Sequence, residues 1–493
     1  MNWKPKAQLT EQETSKSLRM ILYDGLTSEA LVCLSSGAVL VAIALSLGAS
    51  NFEIGLLSAF PTLCNVAQII TIIVLRKFPY RKLFTLLAVF LSRLPLIAVG
   101  LVMWFGESRT VSLLLLAIFV HYFFGSMGGA GWNSWVKDIV PEKGLGAYFG
   151  KRSRYMQMVN ICLSLLVAFL IDYVQDNFPD KLQLLYAIYL ALAGFIGVMG
   201  TLILSQAFET KVMMSQENIF HLLSQPLKNL NFRRLLWFNG FWSFSINLAT
   251  PFFTVFMLQI LGLSMVFVII LSVITQLFSV LTIRYWGNLS DRYSNKSIIF
   301  LSAPIYIACL LGWIFVGIYS KNFLNMGLLV LLHIVTGIST SGINLALTNI
   351  GLKLAPKQDA VIYISVKNII TSIFSALAPI IGGMMADIFL NRDLRITFEW
   401  LSPDYYKEIK LVYLHDWNFL FLIASALSLF SLRFLAVVEE NGEVSHYLVR
   451  KVLKTRFRQR MKDNIIIGNI GHVHDQIKAI VKRNENLSDP PIP

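Results

Sequence analysis

The sequence predicts an all-α membrane protein: twelve transmembrane helices in two pseudo-symmetric six-helix bundles. Three observations carry this reading. Of 493 residues 56% are hydrophobic and only 14% charged, too little polar surface for a soluble chain of this length. The apolar residues fall in blocks of about 20, enough to cross a bilayer as a helix. The two halves of the chain also resemble each other. In lipid the backbone must satisfy its own hydrogen bonds, which runs of this length do as helices. The alternating segments of a membrane β-barrel are absent from the sequence.

Taken in order, residues 1–28 form a polar N-terminal segment of mixed charge, without the pattern of a cleavable signal peptide. Spans are expected at 29–48, 52–75, 83–104, 110–136, 154–173 and 183–205, forming the N-terminal bundle 29–205. A polar connector, 206–235, leads to the C-terminal bundle 236–437. Its spans are expected at 236–258, 264–284, 297–318, 323–351, 364–388 and 414–437. A basic tail, 438–493, includes Arg450, Lys451, Lys454, Arg456, Arg458, Arg460 and Lys462. It reads either as a solvated tail or as a surface helix drawn to anionic lipid.

An even number of spans puts both termini on one side. Segments on that side carry 33 of the 42 Lys and Arg, the opposite segments 7, and Arg93 and Arg433 fall within spans. Basic residues collect in cytoplasmic loops, so both termini are expected in the cytoplasm of a multi-pass protein of the plasma (inner) membrane. The same bias accounts for the net charge of +14, and no nucleic-acid partner is expected. Cys33, Cys64, Cys162 and Cys309 lie in apolar runs without metal-ligand spacing, which implies neither a disulfide framework nor a metal site. No phosphate-cradling loop with its Lys occurs, nor a nucleophile constellation. An enzyme is therefore not expected, and no cofactor is called for.

The internal repeat is specific. Asn133-Ser-Trp-Val-Lys-Asp-Ile-Val-Pro141 lines up with Thr348-Asn-Ile-Gly-Leu-Lys-Leu-Ala-Pro356 at an offset of 215. Tyr148 then matches Tyr363, Arg152 matches Lys367 and Asp172 matches Asp387; Leu47-Gly-Ala-Ser50 matches Leu261-Gly-Leu-Ser264. Two parallel repeats of six spans allow a central site to open alternately to either side.

After the eighth span the chain reads Trp286-Gly-Asn-Leu-Ser-Asp291-Arg292-Tyr-Ser-Asn-Lys296. This stretch, with the two six-span halves, resembles the major facilitator superfamily over residues 15–440. The resemblance implies secondary transport of a small solute by a monomer, with the first, fourth, seventh and tenth spans lining the path. It also implies a latch. Gly287, Asp291, Arg292 and Lys296 belong to the loop signature, whose acid contacts the start of the fifth span, here Lys151, Arg152 and Arg154. The copy after the second span departs from the pattern, because Arg76 stands where the acid belongs. The Gly-Pro-x-x-Gly-Gly pattern of drug/proton antiporters is missing from the fifth span, and Ala378-Pro-Ile-Ile-Gly-Gly383 occurs in the eleventh instead.

Polar groups at membrane depth are costly and often functional. The fourth span offers His121 and Trp132 on one face, with Ser126 and Asn133 nearby. The seventh offers Asn239, Trp242, Ser243, Asn247 and Thr250, and the tenth His333, Thr336, Thr340 and Asn344. Each histidine either faces the path, where it could take up a co-transported proton, or bonds a neighbouring helix. Arg93, near the middle of the third span, calls for a nearby acid or carbonyl partner or else binds an anion. Glu29 and Glu53 are expected at helix N-termini, and Asp172 and Asp387 at the outer face in solvent. A non-transporting membrane sensor or assembly factor of the same shape is the alternative function.

Overall fold

The computed structural model describes residues 5–78, 80–105, 111–141, 145–211, 219–316, 322–356, 360–402 and 405–440. The basic tail read at 450–462 lies outside the described residues. Within them, twelve helices are long and apolar enough to cross a membrane. Six precede the connector and six follow it.

The first span, Glu11–Ser46, starts well before the expected residue 29. Thr10 and Glu13 form a reciprocal capping box, which satisfies two otherwise orphaned backbone donors. The polar residues that follow are sheltered: Ser17 is buried and its hydroxyl accepts from the Phe208 amide at 3.0 Å. The span is also broken. Ser36 is extended at φ −136°, and Gly37 follows at φ +57°, a backbone conformation that favours glycine.

Each bundle is tied together at the face that carries both termini. In the first, Arg81 at the start of the third span donates to Ser134 O and Asp138 and to Thr210 O beyond the sixth span, at 2.6–2.8 Å. Glu209 sits 3.8 Å from the Arg81 Nε and accepts the Lys82 amide at 3.2 Å. At the offset of 215, Lys296 stands where Arg81 stands. Its Nζ donates to Ala436 O, the last residue of the twelfth span, and to Val438 O just beyond, while Glu440 accepts the Asn295 and Lys296 amides and the Lys353 ammonium. Burial is the largest influence on both acids. It pushes the Glu209 carboxyl up despite the neighbouring cations. For Glu440 the same burial is outweighed by bonds from the Lys296 amide, Lys353 and Asn295, which hold it below the ordinary carboxylate range.

Between the eleventh and twelfth spans the expected loop is a hairpin. Strands β1 (Asp393–Ser402) and β2 (Tyr405–His415) pair antiparallel, with a bulge at Ile396/Thr397. Leu394, Phe398, Trp400 and Leu401 are exposed on it. The run alternates apolar and polar residues, which suits a strand, but it joins two strong helices and is easily taken for a loop.

Candidate functional site

Two carboxylates close the face opposite the termini. Asp387, ending the eleventh span (Ile362–Phe389), accepts the Asn51 amide at 3.1 Å, the Asn51 side chain at 2.9 Å and the Phe52 amide at 3.0 Å. These are the first residues of the second span, Asn51–Lys77. Asp172, near the end of the fifth span (Tyr148–Asn177), accepts the Met265 and Val266 amides at 2.7 and 2.8 Å. Those open the eighth span, Met265–Arg292. Each aspartate thus joins one bundle to a helix N-terminus of the other, where backbone donors and the helix dipole favour negative charge. This corrects the expectation that both are solvated.

The helix starts carry caps of their own. Ser50 takes the Glu53 amide and Ser264 the Phe267 amide, so the aspartates add a bridge rather than a missing cap. The seam beside Asp387 is close enough to require glycine. A Cβ on Gly55 would lie 2.2 Å from Pro379 O, and one on Gly383 2.4 Å from Asn51 O.

At the terminal face the residues of the expected latch are unpaired with one another among the described residues. Asp291 is exposed and makes no ion pair among the described residues. Lys151 and Arg154 are exposed as well. Arg152 turns inward, its guanidinium 5.0 Å over the Trp132 ring. In this state the latch expected between Asp291 and the fifth span is unmade, and Lys296 serves its own bundle.

A path leads inward from this face as four cavities that share lining residues. The outermost, about 660 Å³, and the next, about 480 Å³, share Glu11, Ser15 and Arg19 of the first span. Arg152 joins the second to a third of about 370 Å³, lined by Glu29, Asn160 and Gln276. Asn160 and Gln276 continue into a fourth of about 210 Å³, which holds Cys33, the broken Ser36–Gly37 and Ser164. Here the first, fifth and eighth spans meet. Asn160 Nδ2 donates to Glu29 Oε1 at 2.8 Å, and the Ser36 and Tyr122 hydroxyls are 3.3 Å apart. Glu29, expected at a helix start, is in fact central in the first span.

Of the residues singled out from the sequence, Glu29, Lys151 and Arg152 line these cavities, while the polar stripes of the fourth, seventh and tenth spans lie elsewhere. His121 is buried, with Nδ1 2.7 Å from Ser92 O. His333 Nδ1 lies 2.8 Å from Leu329 O on its own helix, and its ring meets Trp313 edge-on. His121 thus bonds a neighbouring span, whereas His333 bonds a carbonyl of its own helix. Asn239 and Trp242 are buried, the former bonded to Leu235 O and the latter packed on Phe238 and Tyr306. Asn247 Nδ2 donates to Ser243 O and Ser375 Oγ. Thr340 bonds Thr336 O, and the Ser126 hydroxyl donates to Asn65 Oδ1. Asn133, Thr250 and Asn344 are exposed.

Sequence reasoning missed Asp24, Glu29 as an interior group, Asn160 and Gln276. The signal for the first two was present: the capping pattern at Thr10 and Glu13 starts the helix early enough to put both acids inside it. Asn160 and Gln276 lie on spans that the family resemblance does not assign to the path.

A family model described as Major Facilitator Superfamily matches residues 26–379. No curated protein matches the chain. Among solved structures, the nucleoside transporter NupG is similar, at 13% identity and a TM-score of 0.62, over 85% of this chain and 98% of that one. A bacterial homologue of the human lysosomal transporter Spinster, inward-facing and unoccupied, is 15% identical with a TM-score of 0.56, over 77% of this chain and 84% of that one. The inward-open xylose transporter XylE from E. coli is 13% identical with a TM-score of 0.56, over 89% and 98%. At such identities the likeness is one of fold.

Proposed function

Since this chain belongs to the major facilitator superfamily, we propose that it is a secondary transporter, active or facilitative, which carries a small solute by alternating access. The state described is then inward-facing, in the plasma membrane, with both termini cytoplasmic. One observation carries the reading. The outer face is bolted by Asp172 and Asp387, while a chain of cavities runs from the terminal face to mid-depth and stops beneath that closure. A path open to one side and ending at a breakable seam is half of an alternating-access cycle. Two of the similar structures are themselves described as inward-facing or inward open. The charge bias along the chain supports the orientation.

Proteoliposomes incubated with a small-metabolite extract, then read by mass spectrometry, test this. At least one solute should accumulate saturably. A disulfide across the outer seam, from Asn51→Cys in the second span to Asp387→Cys in the eleventh, whose side chains meet at 2.9 Å, should stop it. If no solute shows crosslink-sensitive accumulation, the protein is a sensor or scaffold of transporter shape. A reporter fused after Ser445 should be active only as a cytoplasmic fusion, and the opposite result reverses the orientation.

A further inference from the structure

Alternating access alone does not account for the charges beneath the closed face. Asp24 in the first span is only 7% exposed, and Glu29 on the same span is partly buried. Arg93 of the third span and Arg152 of the fifth enter the same region. The Nε atoms of both arginines are buried and have no hydrogen-bond partner. Glycines make the room: a Cβ on Gly197 would lie 2.7 Å from Arg93 Cδ, and one on Gly25 2.7 Å from an Arg152 Nη. Neither guanidinium is within salt-bridge distance of Asp24 or Glu29. Arg152, whose Nε lacks a hydrogen-bond partner and which lines the 480 and 370 Å³ cavities, suits a carboxylate or phosphate group.

The other elements packed here add no charge that would satisfy them. The fourth span presents His121, bound at Ser92 O, and Tyr122, beside Ser36. The eighth presents Gln276, and the sixth only the glycines that make room. At the mouth, Arg19 and Lys151 outnumber Glu11 in the lining of the 480 Å³ cavity, and such a surplus draws anions inward. Deeper in, Arg93 and Arg152 balance Asp24 and Glu29. An anion reaching Arg152 would leave that set one charge negative at membrane depth, where an uncompensated charge is costly. A proton restores the balance. Glu29 shares the Arg152 cavity, and Asn160 engages its Oε1, leaving Oε2 to take the proton.

We infer that the cavity between Arg152 and Gln276 binds a small carboxylate- or phosphate-bearing anion together with one proton on Glu29. That the anion is cargo rests on the transport reading. The proton comes from water on the loading side, forms an O–H bond on the carboxylate, and returns to water on the release side. A singly charged anion and its proton cross as a neutral pair.

The test reads the electrostatic potential of the cavity and needs no transport, so a failed uptake assay leaves it decidable. Met156 lines the same cavity. Met156→Cys is made with Cys33 and Cys162 replaced by Ser, and reconstituted in phosphatidylcholine. Its labelling rates with an anionic (sulfonatoethyl) and a cationic (trimethylammonioethyl) methanethiosulfonate are compared with those of a free thiol. The anionic reagent should be favoured about tenfold, and Arg152→Gln should remove most of that preference. Glu29→Gln, which removes the carboxylate charge as a bound proton would, should strengthen the anionic preference. Gln157→Cys, on the same cavity wall, repeats the measurement if the first variant does not fold. Preference for the cationic reagent, or an anionic preference indifferent to Arg152→Gln, overturns the inference. Added phosphatidylglycerol should leave the rates unchanged. If it blocks labelling, the site holds a lipid headgroup and the cargo reading is overturned.

Discussion

Removing the charge of both outer carboxylates, Asp172→Asn with Asp387→Asn, should shift the protein toward its outward-facing state. Asp172 is half-buried and accepts two amide donors at 2.7 and 2.8 Å. A charged bond of this kind contributes about 1.5–3 kcal/mol, and a helix terminus adds about 0.3–1 kcal/mol. An Asn keeps one acceptor oxygen but turns an N–H toward the second amide, so the loss at Asp172 is about 1–2 kcal/mol. Asp387 makes three contacts but is exposed, and solvent screening limits its share to about 1 kcal/mol. Together the two changes amount to about 2–3 kcal/mol, a shift of about 30- to 150-fold in the inward-to-outward ratio. The fold should survive, because Ser50 and Ser264 still cap the helices that lose their aspartate. Spin labels on exposed Gln175 and Gln259, at outer ends of opposite bundles, report the change by pulsed dipolar spectroscopy. The parent should give one short distance, the double variant a second, longer population. The single variants should rank Asp172 above Asp387. An unchanged distribution in the double variant would show that apolar packing at the Gly55–Pro379 seam holds the outer face closed alone.

Further outcomes follow from other sites. Asp291→Asn should favour the inward-facing state, because the latch it would make with Lys151, Arg152 and Arg154 is open here and forms only when the terminal face closes; labels at Ser153 and Asn288 read this, and an unchanged distance distribution would refute the latch. Glu440 is held below the ordinary carboxylate range, so its stabilisation is full above that range and is lost as pH falls through the lowered value. Glu440→Gln should accordingly flatten the acid limb of the melting temperature. Glu209 is pushed up, so its contribution is largest in acid and fades as pH rises through the raised value. Glu209→Gln should therefore cost little in acid and act on the other limb. Gly37→Ala forces a Cβ onto φ +57° and should lower stability by about 1 kcal/mol, seen as a melting-temperature drop; no drop would mean that the break relaxes into continuous helix.

The spans and their division into two sixes were legible because bilayer thickness imposes a length on every helix. Pseudo-symmetry was legible for the same reason that Asp172 and Asp387 align: both copies of the repeat kept an acid at one structural position. Hydropathy could not say what those acids touch, since a charge at a span end reads as solvated until the partner helix is known. It also missed Asp24 and Glu29, because an apolar average discounts a polar helix that its own bundle shelters, though Thr10 and Glu13 mark where that helix starts. The histidines, for which the sequence left two readings open, show a related limit. An imidazole on a polar stripe satisfies itself on a backbone carbonyl, at Ser92 for His121 and at Leu329 for His333, and helical spacing does not show that bond. The β1–β2 hairpin lay within a stretch defined only by the spans on either side.

The break at Ser36–Gly37 places a fault line inside a helix. The segment before it, Glu11–Ser35, packs on the fifth and sixth spans of its own bundle. The segment after it, Gly37–Ser46, also touches the seventh and eighth spans of the other. A rocking motion that swings the bundles as rigid blocks would therefore shear the first span at its middle. The extended Ser36 and the left-handed Gly37 are where such a strain is absorbed without unwinding either segment. The boundary between the moving parts then runs through the wall of the innermost cavity, and a ligand seated there would touch both sides of it.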